Sequence, residues 1–181
     1  MNSLRIFFCS IVFMSCSSTK SPMVSPKVGV DLDGFAVTTE PGWFIVNGTQ
    51  NGVILNKKTI MEISEVGWAL TGDAPPSQSL EKILTWIKSE KIADANRDRM
   101  ENISNNFLLK KVNGLSCFSY KQTARDKNVN KLISVLGLAC LHPKRTGHYV
   151  DLNLTQRYDS GTKPFDHGAE AAKFFKSLKA R

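Results

Sequence analysis

Long apolar runs are missing from this sequence. Its most apolar stretch, Ile6-Phe7-Phe8-Cys9-Ser10-Ile11-Val12-Phe13-Met14, falls far short of the roughly 20 apolar residues that a membrane-spanning helix needs. A permanent span is therefore not expected. Catalytic signatures are missing as well: there is no Gly-x-Ser-x-Gly elbow, no Walker loop and no Rossmann glycine fingerprint. These absences remove the motif grounds for acyl transfer at an exposed serine, for phosphate cradling and for dinucleotide binding. Serine, histidine and acidic residues occur as in nearly any chain, which is no evidence for a triad.

Histidine is scarce. His142, His148 and His167 are the only three, and none has the i, i+4 spacing of a helical metal motif. His142 and His148 flank one loop, with an approach to each other near Asp151 as the metal-site alternative, and they read as ordinary loop histidines. Asp31-x-Asp33-Gly34 fails as a calcium loop because its glycine comes too early and no closing glutamate follows. No catalytic residue, metal or cofactor is assigned. Cysteine is sparse too, at four residues with no Cys-x-x-Cys spacing, so nothing suggests dithiol redox work.

What the chain does have begins at its start. One basic residue, Arg5, precedes the short apolar stretch, and small residues follow, the pattern of a secretory signal peptide over residues 1–15. Phe13-Met14-Ser15-Cys16, followed by Ser17-Ser18, resembles a bacterial lipobox, with Phe13 where that family usually has an aliphatic residue. The resemblance implies export, and acyl chains on Cys16 as the mature N-terminus. Each buried acyl CH₂ adds about 0.8 kcal/mol of membrane affinity, so several chains anchor a soluble domain firmly. Ser17 stands where Asp would signal inner-membrane retention, which implies the outer membrane in a Gram-negative host. Residues 16–29, polar and broken by Pro22 and Pro26, read as a lipidated cysteine and flexible tether, and residues 30–181 as one domain.

Cys9 then leaves with the signal and Cys16 takes the lipid. Cys117 and Cys140 remain, a single pair in an oxidising compartment. A disulfide is the simpler outcome and two free thiols the alternative. A bridge closing a loop of about two dozen residues contributes roughly 3 kcal/mol in the loop-entropy account.

Negative charge is in deficit, with 16 Asp and Glu against 24 Lys and Arg. Without Arg5 the mature chain of about 166 residues carries about +7, a basic body of the size of one domain. Export removes it from nucleic acid, which is not expected as a partner. Anionic lipid, lipopolysaccharide or an acidic protein surface would fit. The candidate basic binding surface is Lys121, Arg125, Lys127 and Lys131 together with Lys144 and Arg145, and scattered solvated charge is the bland alternative. Trp43, Trp68 and Trp86 suit either core packing or a ligand groove.

Local patterns predict strands over 35–39, 43–46, 53–55 and 59–66, punctuated by Pro41-Gly42, Asn47-Gly48 and Asn51-Gly52. Leu80, Ile83, Leu84 and Ile87 fall at helical spacing behind Ser77 and Ser79, predicting a helix over about 79–91. Residues 94–106 read as a further short helix or a loop. Asn113-Gly114 is a strong hairpin signal joining strands 107–112 and 115–121. A third strand is expected over 132–141. If the polar turn before it centres near Asn128-Val129, Cys117 and Cys140 face each other on neighbouring strands. A fourth strand, 149–157, places Val150, Leu152 and Leu154 on one face. A helix opened by Asp166, with Ala171, Phe174, Phe175 and Leu178 as its apolar stripe, closes the chain.

The expected fold class is α+β: an antiparallel meander sheet packed by two or three helices. The order resembles the PsbP-like α/β/α sandwich family, through Gly34-Phe35 leading to Pro41-Gly42-Trp43, the mid-chain helix, the strand at 149–157 and Phe174-Phe175-Lys176-Ser177-Leu178. The resemblance covers about residues 34–179 and implies a binding or assembly module. The leading functional expectation is a non-enzymatic envelope lipoprotein that binds another envelope component, immunity against a toxin being one form of it. A carrier or sensor of a small apolar or anionic ligand comes second, and an unrecognised envelope hydrolase third.

Overall fold

The computed structural model describes residues 27–57, 64–75, 79–162 and 166–181. Residues 1–26, which hold the expected signal peptide, Cys16 and most of the expected tether, lie outside them.

Two sheets and two helices form the described part. β1 (Gly29–Leu32) and β2 (Phe35–Thr38) make a hairpin, extended on the β2 side by the terminal β10 (Lys179–Ala180). The large sheet takes β3 (Trp43–Thr49), β4 (Gly52–Lys57), β5 (Ser64–Asp73), β6 (Met100–Val112), β7 (Leu115–Asp126), β8 (Lys131–Leu141) and β9 (His148–Asp159). Its order is β3-β4-β5-β9-β8-β7-β6, antiparallel throughout. α1 (Leu80–Asp94) crosses one face, and α2 (Gly168–Lys176) with the small sheet crosses the other. This is an α+β fold in three layers.

The face under α2 is mainly apolar, with Gln156 donating to Glu65 at 2.7 Å as a buried polar pair on the same side. Leu138, Cys140, Val150, Leu152 and Leu154 of the large sheet meet Phe35 and Val37 of the small sheet and Ala171, Phe174 and Phe175 of α2, all buried. Each large apolar side chain fully withdrawn from water here contributes about 1.5–3 kcal/mol. Cys117 and Cys140 pair in register across β7 and β8 and are joined as a disulfide inside this core. Under α1, Ile83 and Ile87 pack on Phe118, Tyr120, Ala139 and Leu141.

Local chemistry explains the connections. Asn113 and Gly114 both take positive φ, 50° and 81°, as a tight primed turn requires. Ser79 caps α1 by accepting from the Lys82 amide at 3.2 Å. Gly137 faces Tyr120 across the ladder, where a Cβ would lie 1.9 Å from the ring. Only glycine lets that ring lie flat on β8.

Some elements differ from expectation. Residues 100–106 are neither helix nor loop: β6 starts at Met100 and pairs with β7 along its whole length. Tertiary pairing overrides the weak strand propensity of its Asn- and Ser-rich half. Of the expected strand over 59–66, residues 59–63 lie outside the described part, and β5 runs from Ser64 to Asp73. Gly67 and Gly72 sit within β5; a Cβ on Gly67 would crowd Leu154, Trp43 and Leu55 at 3.1 to 3.3 Å. β1 begins at the very end of the expected tether. α2 starts at Gly168, whose amide donates to Asp166 Oδ1 at 3.0 Å, and Leu178 is buried just beyond the helix.

Candidate functional site

The six basic residues do not share one surface. Arg125, Lys127 and Lys131 gather at the β7–β8 turn, whereas Lys144 and Arg145 belong to the β8–β9 turn at the opposite end of β8. The ten-residue rise between those ends puts them about 33 Å apart. Lys121 lies mid-strand on the α2 side, beside Leu136 and Asn106. Lys131 is ion-paired with Asp159. Arg145 holds Asp33 in a two-pronged pair at 2.7 and 3.0 Å, and that hydrogen bond keeps the Asp33 carboxyl below its usual range.

The histidines lie next to this clamp. His142 and His148 approach to 6.0 Å between ring centroids, with Phe35 against both. Asp151 is not their partner, since it faces the other side of the sheet. His148 donates from Nε2 to the Asp33 carbonyl at 2.9 Å, and its Nδ1 is 2.7 Å from Asp73 Oδ1. His142 Nδ1 accepts from the Lys144 and Arg145 amides, which places the proton on Nε2, 3.2 Å from the Arg181 carbonyl. All four ring nitrogens are thus engaged: the two Nε2 atoms tie the β1–β2 turn and the C-terminus to the large sheet, His142 Nδ1 orders the β8–β9 turn, and His148 Nδ1 contacts Asp73 of β5. Among the described residues, no group of three or more His, Cys, Asp or Glu is arranged to hold a metal ion.

A buried polar triad lies under α1. Asp151, 2 % exposed, accepts from Tyr120 at 2.6 Å and from Lys91 at 2.6 Å. Burial, reinforced by the Asp151 charge, pushes the Tyr120 hydroxyl well above its ordinary pKa. Burial opposes the Lys91 charge, but the Asp151 carboxylate outweighs it and the ammonium sits above its usual value. With Lys91 at the C-terminal end of the helix, the triad fastens α1 to β7 and β9. Tyrosine, lysine and aspartate in this state form a closed hydrogen-bonded unit, with the Lys91 carbonyl also accepting from Gln122.

The open feature is the groove between α1 and the edge of the sheet. Leu80, Leu84, Phe107, Leu109 and Phe118 line a cavity of about 640 Å³. Leu109 is 77 % and Leu80 50 % exposed. Lys88 stands at its mouth with Nζ 5.1 Å from the Phe107 ring centre. On the other side of β6, Leu108, Lys110 and Lys121 border a second hollow of about 340 Å³ beside Phe175 and Ala172 of α2. Neither Leu109 nor Lys88 figures among the residues marked by sequence; helical spacing exposed Leu80 and Leu84, and nothing in it told which strand they would overhang. Of the tryptophans, Trp43 is core and donates to Glu170 at 2.6 Å, Trp86 packs half-buried on Tyr149, and Trp68 is 37 % exposed.

No family model and no curated protein matches the chain. Solved structures do. A protein of unknown function from Pseudomonas aeruginosa is similar over 86 % of this chain and 97 % of its own, at 8 % identity and a TM-score of 0.53. A single-substitution variant of the protein Mog1 is similar over 86 % and 96 %, at 7 % identity and a TM-score of 0.51. The PsbP of the cyanobacterium Synechocystis covers 93 % and 99 %, at 13 % identity and a TM-score of 0.49. The chain spans 49 % of the length of a matching Bacteroides thetaiotaomicron structure. At such identities the likeness to the Pseudomonas protein and to Mog1 is one of fold alone. No described helix is long and apolar enough to cross a membrane.

Proposed function

We propose that the chain is an envelope lipoprotein, anchored through lipid on Cys16, whose domain is a non-enzymatic module binding another envelope protein at the α1–β6 groove. The observation that carries this reading is the groove itself, an open apolar hollow that leaves Leu109 and Leu80 in water beside a buried core. Contiguous exposed apolar surface is unfavourable for a soluble domain and commonly marks an interaction site. The Cys117–Cys140 bridge suits an oxidising compartment. Ser17 favours the outer membrane. Arg125, Lys127 and Lys131 at the far turn offer a salt-dependent contact with anionic lipid or lipopolysaccharide. Toxin immunity is one specific form of such a module.

A photo-crosslinking residue at Leu109 of the full-length chain, expressed in its own cell, should capture one protein in near-equal amount. The same residue at Lys127 should not. Equal capture of unrelated proteins from both positions would sink the groove as the binding site. Cys16→Ala should release the protein from membranes, and continued retention would remove the lipid anchor. The groove volume also suits a small apolar ligand, with Lys88 for an anionic head. A lipid recovered on the purified chain, without a protein, would favour that carrier reading.

A further inference from the structure

We infer that the outer edge of β6 is a strand-addition site, where an extended acidic segment of another protein, apolar at alternate residues, pairs as one more strand of the large sheet. The inference rests on the binding-module reading above and names the chemistry of its partner.

β6 is the last strand on its side of the sheet, and among the described residues none lies beyond it. It runs for 13 residues, so alternate backbone amides and carbonyls face outward along a row well over the usual strand length. Exposed edges are usually blunted by shortness, proline, bulges or charge. The opposite edge, β3, has only seven residues and a bulge between Ile45 and Asn47. The irregularity in β6 falls near its start, between Asn102 and Ser104, and pairing to β7 is unbroken from Ser104 to Val112. No proline interrupts it.

The two faces of this edge supply what recognition of side chains needs. An added strand points successive residues to opposite faces, its ladder giving affinity and pockets for alternate residues giving specificity. Phe107 and Leu109 border the hollow of about 640 Å³ on the α1 side. Leu108, 62 % exposed, borders the hollow of about 340 Å³ on the α2 side. An apolar side chain of the incoming strand would meet one or the other.

Charge selects the partner. From Met100 to Arg125 the chain carries Lys110, Lys111, Lys121 and Arg125 against one acid, Glu101 at the start of β6, and Lys88 reaches over Phe107 from α1, with Glu81 also lining that hollow. Acidic residues between the apolar ones complement this edge and raise the association rate. A second copy of β6 would bring Lys110 and Lys111 of its own to this edge against a single acid, Glu101 at the start of the strand, so it complements the edge less well than a segment with several acids. An acyl chain could fill one hollow but would leave the backbone row unpaired.

The test uses the full-length chain in mild detergent and a panel of labelled peptides of about ten residues alternating Val, Leu or Phe with Glu. Controls carry Lys in place of Glu, or Pro at alternate positions. Amide hydrogen exchange should show new protection on alternate residues of β6 with the acidic peptides only. Lys110→Glu with Lys111→Glu, and separately Lys121→Glu, should weaken binding by about tenfold or more, and Leu109→Asp similarly. All four positions except Lys121 are strongly solvent-facing on one edge strand, and unchanged circular dichroism and an unchanged unfolding midpoint confirm folding; Lys121→Glu, on the neighbouring strand, is the independent variant. No protection of β6 by any acidic peptide overturns the inference. So do equal affinity for the proline peptides, a concentration-dependent dimer that already protects β6, or displacement of the peptides by fatty acid with no change in β6 exchange. Capture of a protein from Leu109 in cells with no peptide pairing leaves the binding-module reading and removes strand addition. Peptide pairing without any protein captured in cells removes the envelope-partner reading and leaves the edge as a strand acceptor.

Discussion

The two faces of the large sheet are made by the same strands and finished differently. On the α2 side, α2 and the small sheet together close over Leu138, Leu152 and the Cys117–Cys140 bridge, and the largest side chains there are essentially fully buried. On the α1 side a single helix does the covering. It meets Phe118, Tyr120 and Ala139, and beyond it Leu109 at one end and Trp68 and Leu70 at the other stay partly or largely in water. The closed face is held by apolar burial and a covalent link, with Lys57 and Trp43 bonded to Glu170 of α2 at its margin. The other is held by a helix whose tie to the sheet includes a buried ion pair, Lys91 to Asp151. A domain that must be stable and yet display apolar surface can separate the two demands in this way, giving packing to one face and recognition to the other.

The sharpest way to break this comparison is at the ion pair. Lys91→Met should destabilise the domain by about 3–5 kcal/mol, because it strands a buried Asp151 charge rather than because the pair is strongly favourable. Adding Asp151→Asn should restore much of the loss, as read by urea unfolding midpoints. Failure of the second change to help would mean that Asp151 is not charged in the fold. The folded pKa of Lys91 is raised above its ordinary 10.5. Its contribution is therefore full below pH 10.5 and is lost as pH rises through the higher folded value. Next in size, Cys117→Ala with Cys140→Ala should cost about 3 kcal/mol. That loss should appear in unfolding of the whole domain, since the bridge lies in the core of the closed face.

Sequence made the closed face legible and the open one largely not. Asn113-Gly114 announced a hairpin, the polar turn near Asn128 set Cys117 opposite Cys140, and the alternation of Val150, Leu152 and Leu154 told which face they share. Those signals are local or depend on one turn. The first half of β6 was hidden because its residues are at most half-buried, so little apolar alternation is enforced there, and Asn102, Ser104, Asn105 and Asn106 look like loop. The basic residues illustrate the same limit: their spacing along the chain suggested one patch, but β8 carries Lys131 and the Lys144–Arg145 turn to opposite ends. The triad of Lys91, Tyr120 and Asp151 draws on α1, β7 and β9, and the groove draws on α1, β6 and β7. Neither exists until the helix is laid on the sheet.

A smaller change sharpens the role of the helix side. Gly137→Ala places a methyl group within 1.9 Å of the Tyr120 ring, so the ring must lift and its hydroxyl must leave Asp151. Overpacking of this kind costs about 1–3 kcal/mol. Near-ultraviolet circular dichroism should register the displaced tyrosine, while the α2-side core stays intact. An unchanged spectrum would mean that the ring does not lie on β8 as described.

The smallest expected effect on stability is the most informative about function. Leu109 is 77 % exposed and Leu138 is fully buried, although both are leucines on neighbouring parts of one sheet. Leu138→Ala removes packed core and should cost about 2–5 kcal/mol. Leu109→Asp removes almost no buried area and should shift stability by no more than about 0.5 kcal/mol. The same change puts a negative charge into an apolar hollow and beside Lys110, so it should abolish or strongly weaken whatever the groove binds. A stability loss comparable to that of Leu138→Ala would mean that Leu109 is packed in solution, and the distinction between a closed face and an open one would go with it.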